Sequence, residues 1–342
     1  METKTIVIFG ATGTVGVYTA VHLKELGYNV IAVGKRNNDN NFFNSHGMQY
    51  YSVDIANPND FAKLPTDNIY TVINFAGVMP ASMKCYTPQL YIDSVLSGTL
   101  NVLNYCISAK AEKIVFSHST ADSKYLYGKN PIPSDIVKKF PLTGDHSVYS
   151  ICKNAAVDLI EHFYHQNGLK RFVLRLPTIY AYHPNPYFYV DGEKRMIAYR
   201  FIMEQAMKGE TIEIWGDHTK AKEIVYVKDF TQIIQKCIKS PLDGGVYNVG
   251  RGVGVTLDEQ VKGIINVFSN PNNISKIVYR PDKPNTNEFI NDISKTQTEL
   301  DYQPTYDYQN LLLDFKKNME EEPFKALWGS RNDYYITNTL KV

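Results

Sequence analysis

Residues 6–16 read IVIFGATGTVG, an apolar run that leads directly into three glycines spaced three residues apart, and this stretch decides the fold. Gly10 permits a tight turn, Gly13 lets the backbone approach a pyrophosphate without a Cβ clash, and Gly16 allows a helix to pack closely on the strand. The helix that follows presents free N–H groups to phosphate. Between a strand and a helix, this spacing predicts a dinucleotide-binding turn; an ordinary glycine-rich turn is the alternative.

Short apolar strands and helical stretches alternate from this turn to about residue 177. We predict helices at Val15–Leu26, Pro88–Lys110 and Ser147–Gln166. We predict strands at Thr5–Phe9, Asn29–Val33, Gln49–Val53, Thr71–Phe75, Lys113–Ser117 and Arg171–Leu176. The strands are apolar without clean alternation, which is typical of strands buried on both faces of a parallel sheet. The pattern predicts an α/β fold with a Rossmann-type, doubly wound parallel sheet.

The pattern loosens after Pro177. Residues 180–192 are rich in tyrosine and are predicted to form a long loop. Further strands are predicted at Thr211–Trp215, Glu223–Val227 and Val246–Val249, and further helices at Arg195–Lys208, Thr256–Phe268 and Gln309–Glu321. We therefore expect an NAD(P)-binding domain over residues 1–177, to which later segments return, and a smaller substrate-binding lobe mainly over residues 178–342.

Composition excludes several classes of function. The 342 residues include 36 Lys and Arg and 35 Asp and Glu, so no large excess of positive charge indicates nonspecific nucleic-acid binding. The apolar runs are too short to cross a bilayer, and the start does not resemble a signal peptide. The four cysteines are far apart, which predicts a reduced, cytoplasmic protein. His162 and His165 have a metal-like spacing but no third ligand nearby, so no metal site is predicted.

The end of the second strand bears on the choice of dinucleotide. An acidic residue there would bind the adenosine ribose of NAD, but the sequence has Gly34-Lys35-Arg36. Two cations favour the extra phosphate of NADP, and a solvated loop is the alternative. Asp54, which ends the third strand, is expected either to contact the adenine or to cap a helix.

Tyr149 and Lys153 form a Y-x-x-x-K pattern at the start of a predicted helix, where this spacing places both side chains on one face. A nearby ammonium group stabilises a phenolate, so Lys153 is expected to lower the pKa of Tyr149 and suit it to proton transfer. A hydroxyl after the fifth strand would orient the reacting oxygen. Ser119 is the first choice for that hydroxyl and Thr120 is the alternative.

These motifs resemble those of the extended short-chain dehydrogenases/reductases of the nucleotide-sugar epimerase/dehydratase family. The resemblance extends from the glycine-rich turn to Asp301. It includes Asn74-Phe75-Ala76-Gly77, Trp215-Gly216-Asp217, residues 222–229 (KEIVYVKD), Tyr247-Asn248-Val249-Gly250, Arg280-Pro281-Asp282 and Asp292-Ile293-Ser294-Lys295. In that family the C-terminal motifs typically form the lobe that grips a nucleoside diphosphate.

The resemblance, together with the glycine-rich turn, implies a set of site residues. Catalysis would involve Tyr149, Lys153 and Ser119 or Thr120. Cofactor contacts are expected at Gly10, Thr12, Gly13, Thr14, Val15, Gly16, Lys35, Arg36, Asp54, Ile55, Phe75, Ala76, Gly77, Tyr149, Lys153 and Pro177. Contacts to a nucleotide-sugar substrate are expected at Trp215, Lys222 and Arg280. The resemblance also implies a homodimer that packs through the Y-x-x-x-K helix and its neighbour.

Several positions depart from the family pattern. The family's N-V-x-G-T is replaced by residues 94–99 (SVLSGT), so the Asn near the nicotinamide is absent. The dehydratase Glu is missing after Thr120, and Met79 replaces the substrate-binding Lys of galactose epimerases. The first expectation is an NAD(P)-dependent epimerase that moves hydride reversibly at a sugar carbon, most often C4. An NADPH-dependent 4-keto-sugar reductase, favoured by Lys35-Arg36, and a non-catalytic NADP(H) sensor are the alternatives.

Overall fold

The computed structural model of the chain describes residues 4–129, 131–144, 146–190 and 192–336. The strands are β1 (Thr5–Phe9), β2 (Asn29–Gly34), β3 (Gln49–Ser52), β4 (Ile69–Asn74), β5 (Lys113–Ser119), β6 (Lys170–Leu176), β7 (Ile179–Tyr180), β8 (Tyr187–Val190), β9 (Glu193–Met196), β10 (Ile212–Trp215), β11 (Ala221–Glu223), β12 (Val225–Tyr226), β13 (Gly244–Asn248), β14 (Gly254–Thr256) and β15 (Ile277–Arg280).

Helices alternate with many of these strands along the chain. The helices are α1 (Thr14–Glu25), α2 (Phe42–Ser45), α3 (Pro88–Tyr91), α4 (Gly98–Ser108), α5 (His146–Asn167), α6 (Ala198–Lys208), α7 (Val227–Lys239), α8 (Leu257–Phe268), α9 (Ser294–Leu300), α10 (Tyr308–Glu321), α11 (Lys325–Trp328) and α12 (Arg331–Ile336). None of the helices in the described ranges is long and apolar enough to span a bilayer.

Seven parallel strands form one sheet in the order β13-β6-β5-β4-β1-β2-β3. The expected doubly wound Rossmann-type sheet is therefore confirmed, and β13 supplies the return of a late segment to it. Ile6 and Ile8 of β1 belong to the apolar cluster on one face, whereas Val7 and Phe9 belong to the cluster on the other. Burial on both faces explains why these strands show no polar alternation.

The tyrosine-rich segment is more ordered than its sequence indicates. The prediction of a continuous loop over residues 180–192 was wrong, because β8 pairs antiparallel with β9 in a short hairpin. Residues 195–196, predicted as the start of a helix, belong to β9, and α6 begins at Ala198. The aromatic and β-branched residues of β8 favour an extended strand, a local signal that the prediction passed over.

Two other boundaries differ from expectation. The predicted strand Glu223–Val227 is divided between β11 and β12, and Val227 already begins α7. The predicted helix Pro88–Lys110 is interrupted by a π-helical turn at Ile92–Ser97. Residues 94–99 are one residue longer than the N-V-x-G-T pattern, and a π turn accommodates such an extra residue within a helix.

Candidate functional site

The glycine-rich turn joins β1 to α1 with the close contacts that its spacing predicts. Gly10 has φ +81°, and a Cβ there would lie 2.8 Å from the nitrogen of Ala76. A Cβ on Gly16 would lie 2.1 Å from the carbonyl oxygen of Gly10. At Gly13 a Cβ would meet only that same oxygen, at 3.3 Å. Gly13 thus leaves open space at the start of α1, and this cradle fits the pyrophosphate of a dinucleotide.

The segment after β4 lies directly beside this turn. Ala76 donates its backbone N–H to the side chain of the fully buried Asn74 at 3.1 Å. Val78 donates its backbone N–H to Oγ of Ser94 at 3.0 Å, and this hydroxyl donates in turn to the carbonyl of Leu90. Ser94, at the place where the family's Asn is absent, therefore fixes the loop that follows Phe75-Ala76-Gly77. Sequence reasoning identified the substitution but not this role.

The cations after β2 have protein partners. Nζ of Lys35 pairs with Asp54 at 2.7 Å, and Arg36 donates to the carbonyl of Leu327 at 2.6 Å. Asp54 also accepts the backbone N–H of Ala56 at 3.1 Å, which forms a local turn and not a helix cap, because the next helical turn starts at Pro58 and is capped by Asn57. Neither basic side chain is left as an unengaged cation at the end of β2.

Tyr149 lies near the start of α5 and packs against the carboxyl end of β5. Its phenol lies beside Ser119, the last residue of β5, and its ring packs edge-on against Tyr91 at 5.7 Å. Burial raises the pKa of Tyr149 to about 12, against the lowering effect of Ser119. The phenol is therefore held in its protonated form at neutral pH.

Lys153 lies one helical turn further along α5, as its spacing predicts. Nζ donates to the carbonyl of Ser117 at 2.7 Å and lies 5.9 Å from the centre of the Tyr149 ring. Burial lowers the pKa of Lys153 to about 7. The expectation that Lys153 lowers the pKa of Tyr149 was wrong, because burial raises that pKa and the lowering contribution comes from Ser119.

The two candidate hydroxyls differ in their surroundings. Oγ of Ser119 accepts the backbone N–H of Ala121 at 3.1 Å and lies beside the phenol of Tyr149, whose pKa it lowers. Thr120 instead donates to the carbonyl of Leu176 at 3.4 Å and contacts the hydroxyl of Tyr127. The structure thus brings Ser119, and not Thr120, together with Tyr149.

A buried ionic network on the same strands was not predicted. Arg175 donates through two nitrogens to Asp122 at 2.8 and 3.0 Å, and Nε2 of His118 faces the same carboxylate at 3.2 Å. Burial lowers the pKa of His118; burial opposes ionisation of Asp122, but the His118 hydrogen bond and the Arg175 charge hold its pKa below the usual range. Asp122 is fully committed to this pairing, which fixes the polypeptide directly after Ser119. Arg175 lies 53 positions from Asp122 in sequence, so no local pattern indicates their pairing.

The predicted substrate residues fall into two places. Trp215 and Arg280 are register partners on the parallel pair β10 and β15. Both bond to Glu213, and Arg280 also pairs with Asp282 at 3.1 Å. Lys222 lies on β11, which pairs with β14. Burial lowers the pKa of Lys222, with no contribution from any charged partner among the described residues.

Comparisons with known proteins agree with this fold. Residues 6–250 match the family model described as the NAD dependent epimerase/dehydratase family. UDP-glucose 4-epimerase 2 of Oryza sativa subsp. japonica is 22% identical, over 97% of this chain and 83% of that protein.

Solved structures share the same fold. UDP-glucose 4-epimerase of Thermotoga maritima, with UDP-glucose, aligns with a TM-score of 0.74 and 22% identity over 93% of this chain and 99% of that one. The UDP-glucose 4-epimerase of Thermus thermophilus, complexed with NAD, aligns with a TM-score of 0.67 and 20% identity over 92% and 99% of the two chains.

The buried network should contribute strongly to stability. Replacing Asp122 with alanine leaves the Arg175 charge buried without its partner, so the free energy of unfolding should fall by about 3 kcal/mol. Asp158→Ala is the control, because its pair with Lys138 is exposed and should change stability by less than about 1 kcal/mol. Urea unfolding followed by circular dichroism measures both, and equal losses would contradict the special role of the buried pair.

The lowered pKa of Lys153 predicts a pH dependence of stability. Between about pH 7 and the ordinary lysine pKa of 10.5, the unfolded chain binds a proton at this residue that the folded chain does not. Stability from this group must therefore rise with pH across that window, by up to roughly 1.4 kcal/mol per pH unit.

A Lys153→Met variant should lose this contribution, whereas Lys317→Met, an exposed lysine, should keep it. Unfolding free energies of the three proteins between pH 7 and 10 provide the test. Parallel curves for wild type and Lys153→Met would show that Lys153 remains charged when buried.

Proposed function

Because the chain belongs to the NAD dependent epimerase/dehydratase family, we propose that it is a nucleotide-sugar epimerase that inverts a sugar carbon, C4 in the first instance. It is an enzyme of the extended short-chain dehydrogenase/reductase type. The observation that carries the proposal is the placement of the buried Tyr149 phenol beside Ser119, at the carboxyl end of β5. Ligands of open α/β sheets bind at this edge, and the phosphate-binding turn lies along it two strands away.

We assign Tyr149 as the group that exchanges a proton with the sugar hydroxyl, and Ser119 as the group that orients the sugar oxygen. Bound NAD would supply the hydride acceptor and donor. Because burial keeps Tyr149 protonated, the phenol is suited to donate to a keto oxygen. For the reverse transfer, protonated Lys153 would favour the phenolate, and its pKa of about 7 makes that charge available near neutrality.

We propose NAD, rather than NADP, as the cofactor. Lys35 and Arg36, the cations expected to bind a 2′-phosphate, are engaged with Asp54 and the carbonyl of Leu327. A 2′-phosphate would have to share these cations with the partners they already have. The sequence-based expectation of NADP remains a prediction, which the choice of added cofactor tests.

For the substrate we propose a UDP-sugar, the substrate class named for the relatives described above. The predicted role of Arg280 in binding diphosphate requires the phosphates to compete with Glu213 and Asp282. Lys222 has no such competitor among the described carboxylates. Burial lowers its pKa, and a bound anion would favour its protonated, charged form. We therefore assign Lys222 as the primary diphosphate contact and Arg280 as the secondary one.

Tyr149→Phe removes the proton donor while it keeps the ring packed against Tyr91. Turnover of UDP-sugars should fall by roughly 10²–10⁴-fold, with little change in bound nucleotide. Chromatography of reactions with UDP-glucose, UDP-glucuronate and a UDP-4-keto sugar, without added cofactor and with NADPH, measures the products. Tyr86→Phe, at an exposed tyrosine, is the control and should keep full activity.

Each result of that assay has a distinct meaning. Epimer formation without added cofactor supports the epimerase, whereas turnover of a keto sugar only with NADPH supports the reductase. Full activity in Tyr149→Phe would end the assignment of this residue.

We further propose a homodimer that packs through α4 and α5. Both helices expose apolar side chains: Leu100 and Ile107 on α4, and Ile151 on α5. Light scattering should give twice 38.9 kDa for the wild type. Leu100→Arg combined with Ile151→Arg should give a monomer, because two charges would be buried in the apolar contact. Leu313→Arg, at an exposed leucine on α10, should stay dimeric, and a monomeric wild type would contradict the proposal.

A further inference from the structure

The end of the described chain returns to the phosphate-binding turn. We call residues 323–336, which include α11 and α12, the C-terminal strap. Nε1 of Trp328 donates to the carbonyl oxygen of Thr12 at 2.9 Å, across 316 positions of sequence. Trp328 is only 5% exposed. The indole of the strap is therefore built into the structure at the turn between β1 and α1.

The strap is also bonded to the segment that follows β2. Arg36 donates to the carbonyl of Leu327 at 2.6 Å, and Nδ2 of Asn40 donates to the carbonyl of Ala326 at 2.9 Å. The last carbonyls of a helix have no partner within it, so these donors satisfy the end of the short helix α11. The guanidinium charge at this C-terminal end is favourable as well.

These two attachment points are adjacent in the fold. A Cβ on Gly34, the last residue of β2, would lie 2.8 Å from the methyl carbon of Thr12. In a dinucleotide fold the glycine-rich turn faces the pyrophosphate and the end of β2 faces the adenosine ribose. The strap therefore joins the two segments on which the adenosine half of the cofactor would rest.

Aromatic packing holds the strap in place on both sides. The ring of Phe324 lies 4.6 Å from that of Tyr18 on α1, and the indole of Trp328 lies 4.3 Å from the ring of His183. Beyond the indole, Arg331 pairs with Glu204 of α6. The strap is thus anchored before and after Trp328, and lifting it would require several contacts to break together.

From this arrangement we propose that the C-terminal strap is a clamp that retains the dinucleotide: Trp328 and the carbonyls of α11 lock the turn and the β2 end together, so release of the cofactor requires the strap to detach. The inference rests on the proposed function only in assuming that NAD is bound. Trp328 acts through the turn and is a positioning residue. An epimerase must keep its reduced cofactor beside the keto sugar, whereas a reductase must exchange it at each turnover.

The rate of NAD dissociation tests the clamp directly. Protein loaded with radiolabelled NAD is diluted into excess unlabelled NAD, and the label retained is followed over time. Trp328→Phe loses the hydrogen bond to Thr12 and should release NAD about tenfold faster; Trp328→Ala also loses the ring and should release it faster still. Phe315→Leu, a buried residue of α10 that packs against Tyr182 and Phe268, is the control for general destabilisation and should match the wild type.

A second measurement uses the wild-type protein alone. The strap carries trypsin sites after Lys325 and Arg331. If the strap is a clamp, binding of NAD should shift it toward the attached position. NAD should therefore slow cleavage at these two sites several-fold, without changing cleavage after Lys138 or Lys139.

The outcomes separate this inference from the proposed function. Unchanged NAD release in the folded Trp328 variants, or unchanged cleavage of the strap when NAD is bound, would overturn the clamp. A wild-type protein that binds no NAD at all would instead overturn the proposed function.

Discussion

The close approach of α1 to the end of β1 is the constraint on which the rest of the structure depends. A single methyl group on Gly16 would lie 2.1 Å from the oxygen of Gly10, and one on Gly10 would strike the backbone after β4. Only glycine at these two positions lets β1, α1 and the segment after β4 meet at one point. That meeting leaves Gly13 facing open space, two strands away from β5, whose last residue is Ser119.

The central sheet could be predicted because its signals are local. Most strands of residues 5–176 are apolar runs between turn residues, and burial on both faces removes the polar alternation that other sheets show. The hairpin β8–β9 and the division at Ile224 were missed because their short strands depend on antiparallel or tertiary partners. In the hairpin, β8 has a local strand signal, but β9 is mostly charged and gives none of its own.

The candidate site divides in the same way. The spacing of Tyr149 and Lys153 on one helix predicted their common face, but it did not predict that burial would govern their pKa values, since burial depends on Tyr91, Phe116 and the strands beneath. The pairing of Asp122 with Arg175, 53 positions away in sequence, is likewise tertiary. Asp122 lies two residues after Thr120, and its carboxylate is occupied by two buried partners, Arg175 and His118.

The basic pair after β2 shows how a distant segment changes the meaning of a local motif. Taken alone, Lys35-Arg36 favours a 2′-phosphate, because cations at that strand end have no other evident partner. In the fold, Lys35 forms a salt bridge with Asp54, and Arg36 donates a hydrogen bond to the carbonyl of Leu327, 291 positions away. The free energy of binding a phosphate here is therefore the difference between the new contacts with the phosphate and the existing contacts with Asp54 and Leu327. A cation that is already hydrogen-bonded to the end of a helix gains less from a new anion than a fully solvated cation would. The strap that contributes this carbonyl also holds the turn through Trp328, so cofactor choice and cofactor retention depend on the same short helix.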